Sequence, residues 1–114
     1  FVDCARNIGA VPILMTQGRL LTEDNRNKNP YRLRFVDRYL PYDFGLKAFA
    51  KADKIIRSVA DEKNAVLIDA AKLLIETDKP LYFDHIHLSD DGSKELASII
   101  KEHLKKLISD SSNQ

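Results

Sequence analysis

The stretch Ala65-Val66-Leu67-Ile68-Asp69 decides the fold class, because it is a short apolar run that ends in an acid. An uninterrupted apolar run of this length is typical of a parallel strand that is covered on both faces. The run Val11-Pro12-Ile13-Leu14-Met15-Thr16 has the same pattern, with Pro12 near its start. The sequence therefore predicts two buried strands, at 11–16 and 65–69.

Helical periodicity separates these strands and follows them. Residues 46–63 place apolar side chains on one stripe, and shorter helical segments are predicted at 1–8, before Gly9, and at 70–76. Residues 88–109 form the last predicted helix, with Ser89 as its N-cap and 110–114 as a frayed tail. The stripe predicted to be buried on this helix is Leu96, Ile99, Ile100, Leu104 and Leu107.

The order strand, helix, strand predicts an α/β fold with parallel pairing, right-handed crossovers and helices on both faces of the sheet. Two strands are fewer than the roughly 4–6 of a typical sheet. We therefore expect strands 11–16 and 65–69 to need partner strands from polypeptide outside this chain. With 114 residues, the chain can form at most one domain.

The composition argues against several classes of function. The 18 Lys and Arg residues nearly cancel the 17 Asp and Glu residues, so the net charge of +1 provides no global field for nucleic acid or an anionic membrane. No run approaches the roughly 18 apolar residues expected of a membrane span. The single cysteine, Cys4, cannot form an intrachain disulfide, so the cellular compartment stays undetermined.

Periodicity is lost over residues 17–45, where the sequence predicts a loop far longer than the roughly 2–6 residues usual between a strand and a helix. Residues 17–47 carry seven basic and four acidic side chains, a net charge of +3. The aromatic residues among them could stack on sugar rings or cover an acyl chain, while the arginines meet carboxylate or phosphate. In the alternative, the charges face water and the aromatics pin the loop to the core. The aromatic residues are Tyr31, Phe35, Tyr39, Tyr42 and Phe44.

The motif with the clearest chemistry is Asp84-His85-Ile86-His87-Leu88-Ser89-Asp90-Asp91-Gly92, which precedes the last predicted helix. A carboxylate that holds the Nδ1–H of an imidazole fixes its tautomer and stabilises the imidazolium, so the ring can act as a general base. Asp84 and His87 have a spacing that allows this pairing. The sequence predicts these two residues as half of a catalytic triad, without its nucleophile.

The same motif resembles a known family. Residues 84–89, followed by Gly92 and the helix that contains Ala97, resemble the last sequence block of the SGNH (GDSL-type) hydrolases. The segment 54–60, with its arginine, and the acid-ended strand 66–69 precede the block as they do in that family, and Val11 to Thr16 resembles the family's preceding core strand. The resemblance implies a three-layer, flavodoxin-like α/β/α domain. Residues 1–114 would be its carboxy-terminal part, with 17–45 as a substrate-side loop.

The resemblance also implies an enzyme that hydrolyses carboxylic esters through a Ser-His-Asp triad without a metal or organic cofactor. His87 would be the general base, Asp84 its orienting partner and His85 a bystander. The family's Gly-Asp-Ser nucleophile block, oxyanion Gly and Gly-x-Asn-Asp block are absent, and no serine of this chain sits on a strand-to-helix elbow. We therefore expect the serine to lie upstream of Phe1 and the chain alone to be inactive. The expected substrate is a small-molecule or carbohydrate ester with an acetyl or short acyl group.

Two other interpretations remain open. The first is a non-catalytic interaction fragment or subunit that completes another polypeptide, and whose unpaired strand and uncovered apolar face favour self-association. The second is a metal-dependent hydrolase. His85 and His87 form a His-x-His pattern, which on an extended strand points both imidazoles to one side, and Asp84 could add an oxygen ligand for Zn²⁺.

Overall fold

The computed structural model describes residues 1–112 of the chain. These residues contain two short parallel strands and five α-helices. The side chains of Phe35, Asp37 and residues 110–112 fall outside that description. The strands are β1 (Ile13–Met15) and β2 (Val66–Ile68), and a 3₁₀ turn covers Glu23–Asn25. The helices are α1 (Val2–Asn7), α2 (Pro30–Tyr39), α3 (Tyr42–Glu62), α4 (Ala70–Leu73) and α5 (Asp90–Ser112). The predicted α/β class is confirmed.

The strands β1 and β2 pair in parallel, as the strand, helix, strand order predicts. Ile13 lies opposite Val66, and the register continues to Met15 opposite Ile68. Just past β1, the amide of Thr16 donates to the carbonyl of Ile68 over 3.1 Å. The carboxyl ends of both strands therefore lie at the same edge, which is where catalytic groups collect in open α/β sheets.

The prediction that both strands are covered on both faces is wrong for this chain. Met15 is 42% exposed, Val66 and Leu67 are only half-buried, and Ile68 alone among the β1 and β2 residues is buried. A sheet of two strands is too narrow to seat helices fully on both of its faces. Apolar strand surface therefore stays open to solvent in residues 1–112.

The segment 17–45, predicted to be a long loop, contains a 3₁₀ turn, the whole of α2 and the start of α3. Pro30 occupies the first turn of α2, where its fixed φ is favourable and its missing N–H is not needed. Leu33 and Val36 recur at helical spacing and are completely buried. Because charged residues flank and interrupt this pair, at Arg32, Arg34, Asp37 and Arg38, sequence periodicity does not reveal this short helix.

The best-buried part of the chain follows the carboxyl ends of the strands rather than the strands themselves. Segments after β1 and after β2 join α2 and the start of α3 in one apolar cluster. The irregular connections near the predicted site are therefore packed into the apolar core together with the regular elements. The cluster consists of Leu20, Leu21, Leu33, Val36, Tyr42, Leu74, Leu81 and Tyr82.

A network around Asp69 connects the ends of the two strands with α3 and α4. Arg57 on α3 donates two hydrogen bonds of 2.8 Å to the Asp69 carboxylate, and the buried Thr16 hydroxyl donates a third, also of 2.8 Å. The Thr16 hydroxyl oxygen in turn accepts the amide of Ala71 over 2.9 Å. Against the effect of partial burial, Arg57 and then Thr16 lower the pKa of Asp69 to about 2. Asp69 is therefore a carboxylate at neutral pH.

Helix α5 begins as predicted but ends later. Ser89 caps it, since its hydroxyl oxygen accepts the amide of Gly92 over 3.1 Å. The helix runs to Ser112, so the predicted tail at 110–114 is wrong for 110–112, while 113 and 114 lie outside the described residues. Between Ser93 and Ser112 the sequence has no Gly or Pro that would stop the helix earlier.

The predicted buried stripe of α5 is only partly buried. Leu96, Ile99, Ile100 and Leu107 are half-buried, whereas Leu104 is exposed, against the prediction, and Ile108 is exposed with it. A helix of 23 residues is about 34 Å long, longer than the 20 Å and 27 Å shorter extents of the molecule. The second half of α5 therefore offers apolar surface that residues 1–112 do not cover.

The start of α5 packs closely against the preceding loop at Gly92. A Cβ added at Gly92 would lie 1.9 Å from the carbonyl oxygen of Leu81, a distance that no real contact reaches. We expect Gly92→Ala to lower the free energy of unfolding by roughly 1–3 kcal/mol, measured by urea denaturation. In an unobstructed helix interior the same change would instead stabilise by about 0.5–1 kcal/mol.

The matched control for Gly92→Ala is Ser98→Ala, at an exposed position of the same helix. We expect this variant to be neutral or slightly stabilised, because alanine has the higher helix propensity. Stabilisation by Gly92→Ala as well would contradict the close approach of α5 to Leu81.

Candidate functional site

Asp84 and His87 form the hydrogen-bonded pair that the motif predicts. The distance from Asp84 Oδ2 to His87 Nδ1 is 2.8 Å. A carboxylate can only accept, so Nδ1 carries the proton and the neutral ring has its lone pair on Nε2. The His87 side chain is 72% exposed. The geometry thus presents a histidine of fixed tautomer whose second ring nitrogen is open to a proton donor.

The second oxygen of Asp84 fixes the backbone of the same loop. Asp84 Oδ1 accepts the amides of Ile86, over 2.9 Å, and His87, over 2.8 Å. Partial burial raises the pKa of Asp84, but these two amides and the His87 ring outweigh that effect and bring the pKa down to about 2. Asp84 therefore stays ionised at neutral pH, as an orienting carboxylate must.

Residues 82–88 form a closed loop, which we call the site loop. An antiparallel bridge joins Tyr82 to Leu88, and the amide of Phe83 donates to the carbonyl of His87 over 2.8 Å. Directly below the bridge, the amide of Ser89 donates to Leu81 over 2.9 Å. The site loop and the first turn of α5 are therefore built as one unit.

The site loop is also tied to the segment that follows β1. The carbonyl of His85 accepts the amides of Leu20, over 3.0 Å, and Leu21, over 3.3 Å. Both leucines are completely buried. These bonds place Asp84 and His87 beside the polypeptide that leaves the carboxyl end of β1, the edge where catalytic groups collect in open α/β sheets.

Helix α2 braces the other side of the site loop through Arg32. Its guanidinium donates to both carboxylate oxygens of Glu76, over 2.6 and 2.8 Å, and to the carbonyl of Tyr82 over 2.9 Å. The second Glu76 oxygen also accepts the amide of Leu81. Partial burial raises the pKa of Glu76, but Arg32 and the Leu81 amide outweigh it and the net pKa is lowered. This ionised pair was not predicted, because 44 residues separate its members and no local pattern joins them.

Tyr82 anchors the site loop in the apolar core. Its ring is buried, its hydroxyl donates to the carbonyl of Leu74 over 2.8 Å, and burial, followed by the nearby Glu76, raises its pKa to about 12. The hydroxyl is therefore a structural donor at neutral pH. It also limits Gly18, where an added Cβ would lie 3.0 Å from the Tyr82 oxygen.

His85 has a different environment from His87. Its side chain is only 13% exposed, and its Nδ1 lies 3.6 Å from Asp84 Oδ1. Among the residues that the structure describes, no group of three or more His, Cys, Asp or Glu side chains is arranged to hold a metal ion. The described geometry therefore gives no support to the His-x-His metal interpretation.

Three of the described serine hydroxyls donate hydrogen bonds to groups other than His87. Ser58 donates to Glu62 on α3, Ser89 to the carbonyl of Pro80, and Ser109 to the carbonyl of Lys106. Among the described side chains, no serine hydroxyl is hydrogen-bonded to the His87 ring. The pair can thus accept and return a proton, and the described side chains place no serine nucleophile in contact with it.

A cleft of about 190 Å³ opens at the carboxyl end of β1. Thr16, Gln17 and Gly18 form its strand side, and Leu88 of the site loop, the neighbour of His87, contributes to its wall. The remaining lining is apolar: Met15, Ile56, Ala70, Leu74 and Leu96. A small apolar group fits a cleft of this volume.

Comparison of the chain with protein-family models, with curated proteins and with solved structures gave no match. Among the described helices, none combines the length and apolar character that crossing a bilayer requires. The chemistry of the site therefore has to be argued from the geometry of the Asp84–His87 pair.

The hydrogen bond between Asp84 and His87 determines which ring nitrogen carries the proton. We expect nitrogen NMR of the chain above the titration range of histidine to show His87 protonated at Nδ1. In Asp84→Asn, the amide can donate to Nδ1, so the proton should shift toward Nε2.

His103 is an internal control for this measurement. Its Nδ1 donates to the carbonyl of Ile99 over 2.8 Å, far along α5 from Asp84. We expect its tautomer to be the same in the original chain and in Asp84→Asn. If the tautomer of His87 is the same in the original chain and in Asp84→Asn, the Asp84–His87 hydrogen bond does not form in solution.

Proposed function

We propose that this chain supplies the general base and its orienting acid to a serine ester hydrolase of the SGNH (GDSL) type. The observation that carries the proposal is the 2.8 Å hydrogen bond between His87 Nδ1 and Asp84 Oδ2. An exposed imidazole held at Nδ1 by an ionised carboxylate is the acid–base part of a catalytic triad. The resemblance of residues 84–92 to the last block of that family supports the same conclusion.

In the proposed reaction, His87 Nε2 takes the proton from a serine hydroxyl as its oxygen attacks the carbonyl carbon of the ester. The resulting imidazolium returns the proton to the leaving alcohol when the tetrahedral intermediate collapses to a serine ester. Water then attacks the serine ester, with His87 again accepting and returning a proton. The products are the carboxylic acid and the regenerated serine.

Asp84 supports both proton transfers without changing its own protonation state. Its low pKa keeps the carboxylate charged beside the imidazolium that forms in each step. Its hydrogen bonds to the Ile86 and His87 amides fix the position of the carboxylate itself. Asp84 is therefore a positioning residue in this proposal, and His87 is the catalytic one.

The nucleophilic serine and the oxyanion donors come, in this proposal, from polypeptide outside residues 1–114. That polypeptide adds strands beside β1 and completes a three-layer α/β/α domain. The exposure of Met15 supports this arrangement, because parallel strands are normally covered on both faces. The small apolar cleft beside Leu88 supports an acetyl or short acyl ester, on a small molecule or a carbohydrate, as the substrate.

The proposal is tested on the polypeptide that combines this chain with its serine, as a longer natural chain or as a complex. We expect hydrolysis of p-nitrophenyl acetate, with kcat lowered roughly 10⁴-fold by His87→Ala and by Asp84→Asn. The measurement is the release of p-nitrophenolate at neutral pH under saturating ester. Both variants should keep the melting temperature of the parent within a few degrees, because the His87 side chain is exposed and the amide oxygen introduced by Asp84→Asn can still accept the Ile86 and His87 amides.

His85→Ala is the matched control, since it removes the neighbouring imidazole from the same loop. We expect it to retain most of the activity, because the His85 carbonyl, which ties the site loop to Leu20 and Leu21, is kept in this variant. Equal loss of activity in His85→Ala and His87→Ala, with recovery on added Zn²⁺, would overturn the serine mechanism in favour of a metal site.

A second candidate function is a non-catalytic subunit that completes another polypeptide. The observation that favours it is the apolar surface left open on the sheet and on α5, at Met15, Leu104 and Ile108. Exposed apolar surface beside a strand edge is a common basis for association between chains. In this case the Asp84–His87 pair would be idle.

Either candidate predicts that the isolated chain associates with itself. We expect analytical ultracentrifugation to show mass above 13.0 kDa that increases with protein concentration. Met15→Lys should reduce the association, because it places a charge on the open strand surface.

Ile55→Lys is the control for this substitution, since Ile55 is also an exposed apolar residue but lies on α3. We expect it to leave the association unchanged. A chain that stays monomeric at all concentrations, or the same response to both substitutions, would contradict association through the open strand surface.

A further inference from the structure

Helix α2 carries a surface of aromatic and arginine side chains that the proposed acid–base pair does not use. Tyr31 is 72% and Tyr39 is 66% exposed. The Arg34 guanidinium lies over the Tyr31 ring, 4.3 Å from its centre, and that of Arg38 lies 5.5 Å from the centre of Tyr39. We call these four residues the Tyr–Arg face.

Packing of α2 does not account for the Tyr–Arg face. The helix buries Leu33 and Val36 in the core, whereas all four residues of the face are exposed. Tyr31, Arg34 and Arg38 are spaced i, i+3 and i+7, so they lie along one side of the helix. Tyrosine rings combine a large apolar surface with a polar hydroxyl, which suits them to binding at a surface.

The two arginines of the face differ from the other arginines near them. Arg26 is paired with Glu23 and Asp43, and Arg32 with Glu76. Among the described side chains, neither Arg34 nor Arg38 forms a salt bridge with a carboxylate. The Tyr–Arg face therefore presents two guanidinium groups that are stacked on aromatic rings and have donors for a planar anion.

The position of the face relates it to the site loop. Arg32, the residue after Tyr31, donates to the carbonyl of Tyr82 and to the Glu76 carboxylate. This contact fixes the Tyr31 end of α2 beside the loop that holds Asp84 and His87. A long ligand bound along the face has one end close to the site loop.

We propose that the Tyr–Arg face binds an anionic carbohydrate, a chain of sugar units that carry carboxylate groups. The apolar face of a sugar ring packs on the exposed side of a tyrosine ring, and each guanidinium takes a sugar carboxylate through two parallel hydrogen bonds. The spacing from Tyr31 to Tyr39 is about 12 Å along the helix, so the two stacking sites are occupied by different units of one chain. Two weak contacts on one ligand reinforce each other.

A nucleic acid is the less favoured ligand for the same chemistry. Its binding depends on a row of cations that neutralises many phosphates. Here only two guanidinium groups are free of carboxylate partners among the described side chains of α2, and the whole chain carries a net charge of only +1. A carbohydrate with one carboxylate per sugar unit matches two separate cations better than a phosphate backbone does.

This inference deepens the proposed function, because it names the molecule that carries the ester. Only the statement that the bound carbohydrate carries the ester rests on the proposed function, since binding to the Tyr–Arg face requires neither His87 nor a serine. The two can therefore fail separately: loss of binding leaves the esterase proposal standing, and loss of hydrolysis leaves the binding proposal standing.

The test is calorimetric titration of the chain with an oligogalacturonate, with its fully methyl-esterified form and with an oligouridylate of similar length. We expect binding of the oligogalacturonate, and binding of the methyl ester about tenfold weaker or undetectable, because esterification removes the charge but keeps the sugar rings. The double variant Arg34→Gln with Arg38→Gln should weaken oligogalacturonate binding by about tenfold or more. Tyr31→Ala should weaken binding of the same ligand through loss of stacking.

The matched control is Lys101→Gln with Lys106→Gln, which removes two exposed charges from α5. We expect this variant to bind oligogalacturonate like the original chain, and circular dichroism to show unchanged melting for both double variants. The proposal is overturned by equal binding of the methyl ester, by tighter binding of the oligouridylate, by equal losses in the two double variants, or by no binding of oligogalacturonate.

Discussion

The structure depends on the carboxylate of Asp69, which occupies the point where β1, β2, α3 and α4 converge. Its two oxygens accept three hydrogen bonds from two residues that are far apart in sequence, Arg57 and Thr16. Removal of one partner from such a group leaves a charge with unsatisfied hydrogen-bonding capacity, which costs more than the lost bond itself. Because Thr16 also accepts the Ala71 amide, the same group determines where β1 ends and where the chain turns after β2.

Asp69 and Asp84 show how one side-chain type serves two purposes. Both have a pKa of about 2, but the causes differ. Asp69 is held mainly by a guanidinium, whose charge is permanent, and so it acts as a fixed support. Asp84 is held by two backbone amides and an imidazole, a group that can gain and lose a proton. Only the partner of Asp84 can therefore change its charge by gaining or losing a proton.

Local sequence patterns predicted most of the elements and the pairing of Asp84 with His87, but not the contacts that position them. The strands, α3, the Ser89 cap and the pairing of Asp84 with His87 each depend on residues close in sequence, and the structure contains all of them. The helix α2 was missed, because only Leu33 and Val36 show its buried side among many charged residues. The Arg32–Glu76 and Arg57–Asp69 pairs join distant segments, and a single sequence carries no signal for such pairings. The exposure of Met15 was missed for a related reason, since an apolar run does not reveal how many neighbours a strand will have.

The hydrogen bond from the Ser89 amide to Leu81 and the close approach of Gly92 to the same carbonyl have a consequence for cooperativity. The first turn of α5 cannot unwind while the bridge between Tyr82 and Leu88 stays closed, so local melting of the helix start and release of the imidazole are one event. Amide exchange rates at Ser89 and His87 would then share a single opening free energy. Substitutions along α5 that alter its helicity would therefore change how often the Asp84–His87 pair opens, and with it the proposed proton transfer, without any contact with the ring.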